Sequence, residues 1–245
     1  MSELRGPKGD LLAFALGLAS PLAGLALARV HPAAMPLVMT LAIYPVYLSD
    51  LESGEPWTAV RRVLLWALAS SIAVVAATVL LGEGTVGPLI LKGEEYRDEM
   101  LDWIRTGRGP EGDPSLFLVP KLIEIAVFTV LSLASAGFLG LFLGSYLLNY
   151  MNFYVGCLFL RAEDWAVPAL FGWPIYAIIR VVGYTCLGTF LSIPLLRRLG
   201  RTELSQGEAA GLLKVALVCI ALDFLLKATV ANAIYQPILR GAIGV

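Results

Sequence analysis

The stretch that decides the fold is Leu116–Leu160, LFLVPKLIEIAVFTVLSLASAGFLGLFLGSYLLNYMNFYVGCLFL, in which Lys121 and Glu124 are the only charged residues. A single straight helix of that length, at about 1.5 Å per residue, would be more than twice as long as a hydrocarbon core about 30 Å thick. The segment must therefore fold back or break. Gly137, Gly140 and Gly144, followed by Ser145, mark the expected place, which predicts one span over 116–138 and another over 144–160. The alternative is one span plus a re-entrant half-helix, tolerated only where protein or a watery cavity satisfies the freed backbone.

Outward from this segment the chain keeps the same character. Of its 245 residues, 58% are apolar and 15% charged, and the mean hydropathy is +0.78. Ordinary soluble domains are about 45–50% apolar and about 25% charged. The composition predicts an all-α, polytopic transmembrane helical bundle of six to seven spans. Besides the two above, spans are expected over 11–30, 33–48, 63–81, 168–196 and 209–239. The run 11–30 is longer than a secretory h-region and is followed by further spans, so it reads as a retained first helix. The run 33–48 is short and carries Pro36 and Pro45, which predicts tilt or a kink. Pro174 interrupts the run 168–196, and Ser205 and Glu208 have capping-box spacing ahead of the last span.

Residues 82–115 form the one substantial extramembrane segment, with eight acids against four bases. Leu89, Ile90, Leu91, Tyr96, Met100, Leu101 and Ile104 recur there near helical spacing, with Glu94, Glu95, Asp98, Glu99 and Asp102 between them. This predicts an amphipathic surface helix, lying over the bundle end or acting as a lid. With seven spans and a cytoplasmic N-terminus, Arg5, Lys8, Arg61, Arg62, Arg197, Arg198 and Arg201 fall inside and the acidic segment outside. The expected location is a multi-pass position in the cell membrane.

The 18 Lys and Arg nearly cancel 19 Asp and Glu, which argues against nucleic-acid binding. Cys157, Cys186 and Cys219 sit inside apolar runs without paired spacing, and His31 is the single histidine. Paired-histidine zinc or haem chemistry is thereby excluded, and no phosphate loop, nucleophile elbow or diphosphate-binding acidic pair is present. No enzyme activity, metal or cofactor is expected.

Ionisable residues inside spans are costly and mark function or pairing. Five stand out: Lys121 and Glu124, three apart; Asp223 and Lys227, four apart in the favourable order; and Arg180, alone on its helix. Arg180 needs a carboxylate from another helix, with Glu124 and Asp223 as candidates, and the five together carry one net positive charge. Asn149 and Asn152 add amides to the candidate pathway or ligand site, beside a stripe of Tyr146, Tyr150 and Tyr154. Gly140 and Gly144, with Gly137 before them, allow close helix approach, within the chain or between subunits. Asn232 and Gln236 either satisfy backbone opened by Pro237 or line a vestibule.

Two stretches, Leu148-Asn149-Tyr150-Met151-Asn152-Phe153-Tyr154-Val155-Gly156 and the last span ending Ala233-Ile234-Tyr235-Gln236-Pro237-Ile238-Leu239, resemble the integral-membrane family named for stage II sporulation protein M. The likeness covers the C-terminal half and departs where the family has a His-Gly pair, Phe171-Gly172 here. It implies a polytopic scaffold with membrane or envelope partners and carries over no catalytic residue. The residues themselves point to a small permease or channel-type protein, with a non-catalytic scaffold as the alternative. The expected partners are the bilayer and copies of itself or other membrane subunits.

Overall fold

The computed structural model describes residues 6–244, so Arg5, one of the bases expected on the N-terminal side, lies outside the described residues. All regular structure among the described residues is helical: α1 (Pro7–Ala28), α2 (Ala34–Glu52), α3 (Pro56–Leu81), α4 (Glu83–Val86), α5 (Gly93–Thr106), α6 (Pro114–Ala134), α7 (Phe138–Arg161), α8 (Ala166–Phe171), α9 (Ile175–Arg198), α10 (Ala210–Val230) and α11 (Gln236–Ala242). Helices α1, α2, α3, α6 and α9 are long and apolar enough to cross a bilayer, which makes this an integral membrane protein. Helices α7 and α10 match them in length, 24 and 21 residues, but their apolar runs are diluted. Asn149, Asn152 and three tyrosines do this in α7, and Lys214, Asp223 and Lys227 in α10.

Helix starts follow local chemistry. Proline occupies the first turn of α1, α3 and α6, where its missing N–H costs nothing. Asp113 caps α6 by accepting from the Ser115 N–H at 2.9 Å. Ion pairs then gather the helix ends into two groups. Asp10 of α1 meets Arg61 and Arg62 of α3, Asp50 of α2 meets Arg62, and Glu52 of α2 meets Arg201 after α9. At the opposite end Glu83 binds Arg161 at the close of α7. Helices α1, α3, α7 and α10 accordingly run one way, and α2, α6 and α9 the other.

The break in the long apolar segment lies at Ser135–Gly137, not across the three glycines. Ser135 Oγ accepts from the Leu139 N–H at 2.8 Å, capping α7, and Gly137 supplies the left-handed turn at φ +86°. Helix α7 therefore runs unbroken through Gly140 and Gly144, both of which lie in its first two turns. Gly140 seats α7 against α6: a Cβ there would stand 2.1 Å from Ser132 Oγ. The pair expected to join two helices is thus divided, because nothing lies within 4 Å of a Cβ at Gly144.

The other boundaries shift where turn chemistry outweighs hydropathy. The expected span 168–196 is divided into α8 and α9 by Gly172 to Pro174, and α9 extends to Arg198. The span 209–239 becomes α10, a π-turn over Ala231–Tyr235, and α11, with Pro237 in the first turn of α11. The second span reaches Glu52 rather than Leu48, and the third starts at Pro56.

Gly140→Leu should destabilise the protein by about 1–3 kcal/mol, the usual cost of overpacking a close contact. Gly144→Leu, on the same helix but facing open space, should cost much less in detergent thermal unfolding. Equal melting temperatures for Gly140→Leu and the wild type would contradict this seam.

Candidate functional site

The need to pair charge in a low dielectric builds the site. Lys121 Nζ donates to both Glu124 oxygens at 2.9 Å, and Tyr184 adds its hydroxyl to Glu124 Oε1 at 2.7 Å. Arg180 of α9 donates through Nε to Asp223 Oδ2 of α10 at 2.9 Å. This is one of the two partners expected for it. The expected pair between Asp223 and Lys227 is not formed, since Asp223 turns to α9 while Lys227 turns to the loop before α6. There Lys227 Nζ donates to Glu111 Oε2 at 2.9 Å and lies 5.0 Å from the centroid of the Phe117 ring. Glu111 comes from the extramembrane segment and cancels the single positive charge read from the spans.

These pairs differ in access. The side chains of Lys227 and Glu111 are 5% and 10% exposed. Those of Lys121 and Glu124 are 13% and 18% exposed, and Arg180 is 17% exposed. Lys227 and Glu111 are the more deeply buried, but all five side chains line a vestibule of about 460 Å³. Its walls include Lys121 and Glu124 of α6, Tyr146 and Tyr150 of α7, Arg180, and Glu99 of α5. A second, narrower slot of about 100 Å³ continues toward Gly137 and Tyr47 at the other end of the bundle. The two cavities share Tyr96, Leu147, Tyr150 and Arg180.

Helix α5 roofs the vestibule. Glu94 and Glu95 in its first turn and Arg105 in its last complement its dipole, and Gly107 ends it at φ +70°. Its apolar face buries Met100, Leu101, Trp103 and Ile104. Trp103 Nε1 donates to Asn232 Oδ1 at 2.7 Å and Gln236 Nε2 to the Ile104 carbonyl at 2.6 Å. Asn232 and Gln236 are therefore tethers for α5; Gln236 is not spent on Pro237 and neither residue lines the vestibule. Tyr96 packs on Tyr150 with centroids 4.4 Å apart and meets Tyr154 edge-on at 5.9 Å. Tyr146 and Tyr150 of the tyrosine stripe line the vestibule, while Tyr154 is core.

Asn149 and Asn152 lie away from both cavities. Asn152 Oδ1 accepts from Trp173 Nε1 at 2.9 Å, and Asn149 is buried with neither amide atom hydrogen-bonded among the described residues. Of the glycines, Gly137, Gly140 and Gly144 line the slot. Glu111 is the site residue that sequence reasoning missed. Its flanking residues offered a signal, since Gly112 lets the loop lie against the bundle: a Cβ there would be 2.1 Å from Asn232 Oδ1. No protein-family model, curated protein or solved structure matches this chain.

Burial pushes the Glu111 carboxyl up, but Lys227 and Arg180 outweigh it and hold it below its ordinary value. A carboxyl lowered in the folded state stabilises the fold above the ordinary carboxylate range and loses that contribution as pH falls through it. Glu111→Gln should cost about 3–5 kcal/mol at neutral pH by stranding Lys227, and should flatten the decline in melting temperature toward pH 4. A parallel decline in both proteins would contradict the pairing. In a separate double-mutant cycle, Arg180→Leu should couple to Asp223→Asn by about 0.5–3 kcal/mol and more weakly to Glu124→Gln, since its hydrogen bond goes to Asp223. Additivity with Asp223→Asn would contradict the assignment.

Proposed function

We propose that this chain is a small permease or channel-type membrane protein, with a pathway that enters the vestibule beneath α5, passes Arg180 and continues into the slot. The observation that carries this reading is that the two cavities adjoin, with Tyr96, Leu147, Tyr150 and Arg180 lining both. Paired but partly exposed charges suit a path that must hold polar solutes without a large net field. In this reading α1, α2, α3, α6, α7, α9 and α10 all cross the bilayer. The end bearing Lys8, Arg61, Arg62, Arg197, Arg198 and Arg201 faces the cytoplasm and the acidic segment faces outward, in the cell membrane. The chemistry assigned to the site is passage, not catalysis, and the residues assigned to it are Lys121, Glu124, Arg180, Asp223 and Lys227.

A second reading is a non-catalytic scaffold that assembles with membrane or envelope partners. The closure of Lys121, Arg180 and Lys227 into ion pairs favours it, as does the resemblance of Leu148–Gly156 to the sporulation protein family. The two readings part over water in the cavities.

The test is thiol labelling in a background lacking Cys157, Cys186 and Cys219. Leu147→Cys and Thr189→Cys should react with a small impermeant reagent, and Trp103→Phe, by loosening α5, should speed labelling at Leu147→Cys. Thr106→Cys and Leu199→Cys should react from opposite sides of the membrane. Unreactive Leu147→Cys and Thr189→Cys would leave the scaffold reading, and same-side labelling at 106 and 199 would overturn the seven-span topology.

A further inference from the structure

Arg180 differs from the other intramembrane cations in what its donors do. Lys121 is held by both oxygens of Glu124, and Lys227 is enclosed by Glu111 and Phe117. Arg180 uses Nε alone on Asp223, and its two terminal nitrogens form no hydrogen bond among the described residues. The side chain stands on the wall of both cavities. A guanidinium with its outer edge free presents the forked donors that match a carboxylate or a phosphate.

The space beyond it has the opposite chemistry. Arg180 is the one charged residue lining the slot, whose walls include Trp66, Leu148, Val181 and Gly188. Glycines at 140, 144 and 188 withdraw side chains from its sides. At about 100 Å³ the slot is smaller than the roughly 150 Å³ apolar cavity that holds benzene, so it suits one short, slender chain. An oxyanion at Arg180 and an apolar chain in the slot belong to one molecule, because both features meet at the same guanidinium.

We infer that the two adjoining cavities bind a single-chain amphiphile with a carboxylate or phosphate head, the head on the outer edge of Arg180 and the chain in the slot. This rests on the pathway reading above and names its substrate class. Gly144 provides the control for the chain, since a side chain there meets open space and should leave the fold intact. For the head, the paired change Arg180→Gln with Asp223→Asn removes the guanidinium without stranding a carboxylate.

The experiment follows labelling of Thr189→Cys in the full chain held in amphipol. Butanoate or butyl phosphate should slow labelling about tenfold or more at saturation, equivalent to about 1.4 kcal/mol of protection. Comparing those two probes distinguishes a carboxylate from a phosphate head, and protection by either supports the inference. Acetate, inorganic phosphate, butanol and butylammonium should each leave the rate nearly unchanged. Gly144→Leu should abolish protection while keeping the melting temperature, and the Arg180→Gln, Asp223→Asn pair should abolish it as well. Equal protection by butanol and butylammonium, or protection that survives Gly144→Leu or the Arg180→Gln, Asp223→Asn pair, would overturn the inference and leave the pathway reading standing. A Thr189→Cys thiol that is unreactive without any additive would overturn both.

Discussion

The ammonium of Lys227 cannot remain unpaired at its depth in α10, and the carboxylate that neutralises it is Glu111, 116 residues earlier. An unpaired buried charge costs several kcal/mol, so this one ion pair obliges the loop after α5 to return onto the bundle. Phe117, on the first turns of α6, closes over the same ammonium. The loop in turn fixes where α5 ends and where α6 begins. The roof of the vestibule, with Trp103 on Asn232 and Tyr96 on Tyr150, follows from that placement.

Much of the fold is legible in hydropathy, because five helices each supply an apolar run of bilayer length. Length alone does not separate a turn from a packing contact. Gly137, Gly140 and Gly144 look alike in sequence, yet one makes a left-handed turn, one admits Ser132 and one opens on a cavity. The decisive signal is Ser135, which caps the next helix from three residues before Phe138. Charge spacing is similarly incomplete. Asp223 and Lys227 have the spacing of a local pair, but each has a stronger claim from another element.

Glu111 was hidden for a different reason. It sits among eight acids in a segment that reads as solvated, and its partner lies on the last long helix. Asn149 and Asn152 erred the other way, since amides inside an apolar span read as pathway groups. The helix turns them into the packed side, leaving Tyr146, Leu147 and Tyr150 of the same helix toward the cavities. Periodicity over so few turns does not choose between these faces, and the choice is made by what α3 and α5 bury.

The vestibule joins two demands that usually conflict. A charge network must be neutral to exist in a membrane, yet a path must leave polar groups within reach of a solute. In the proposed pathway every charge on the vestibule wall is paired, with Lys227 and Glu111 the most deeply buried and holding the loop, while Lys121, Glu124 and Arg180 are more open. The most direct measurement is an experimental density map of the chain in a lipid nanodisc, read around Arg180. The account predicts ordered water or an elongated solute at its terminal nitrogens, with Tyr96 on Tyr150 beside it. Tyrosine and leucine side chains packed dry against the guanidinium, with no space left between α6 and α7, would contradict it.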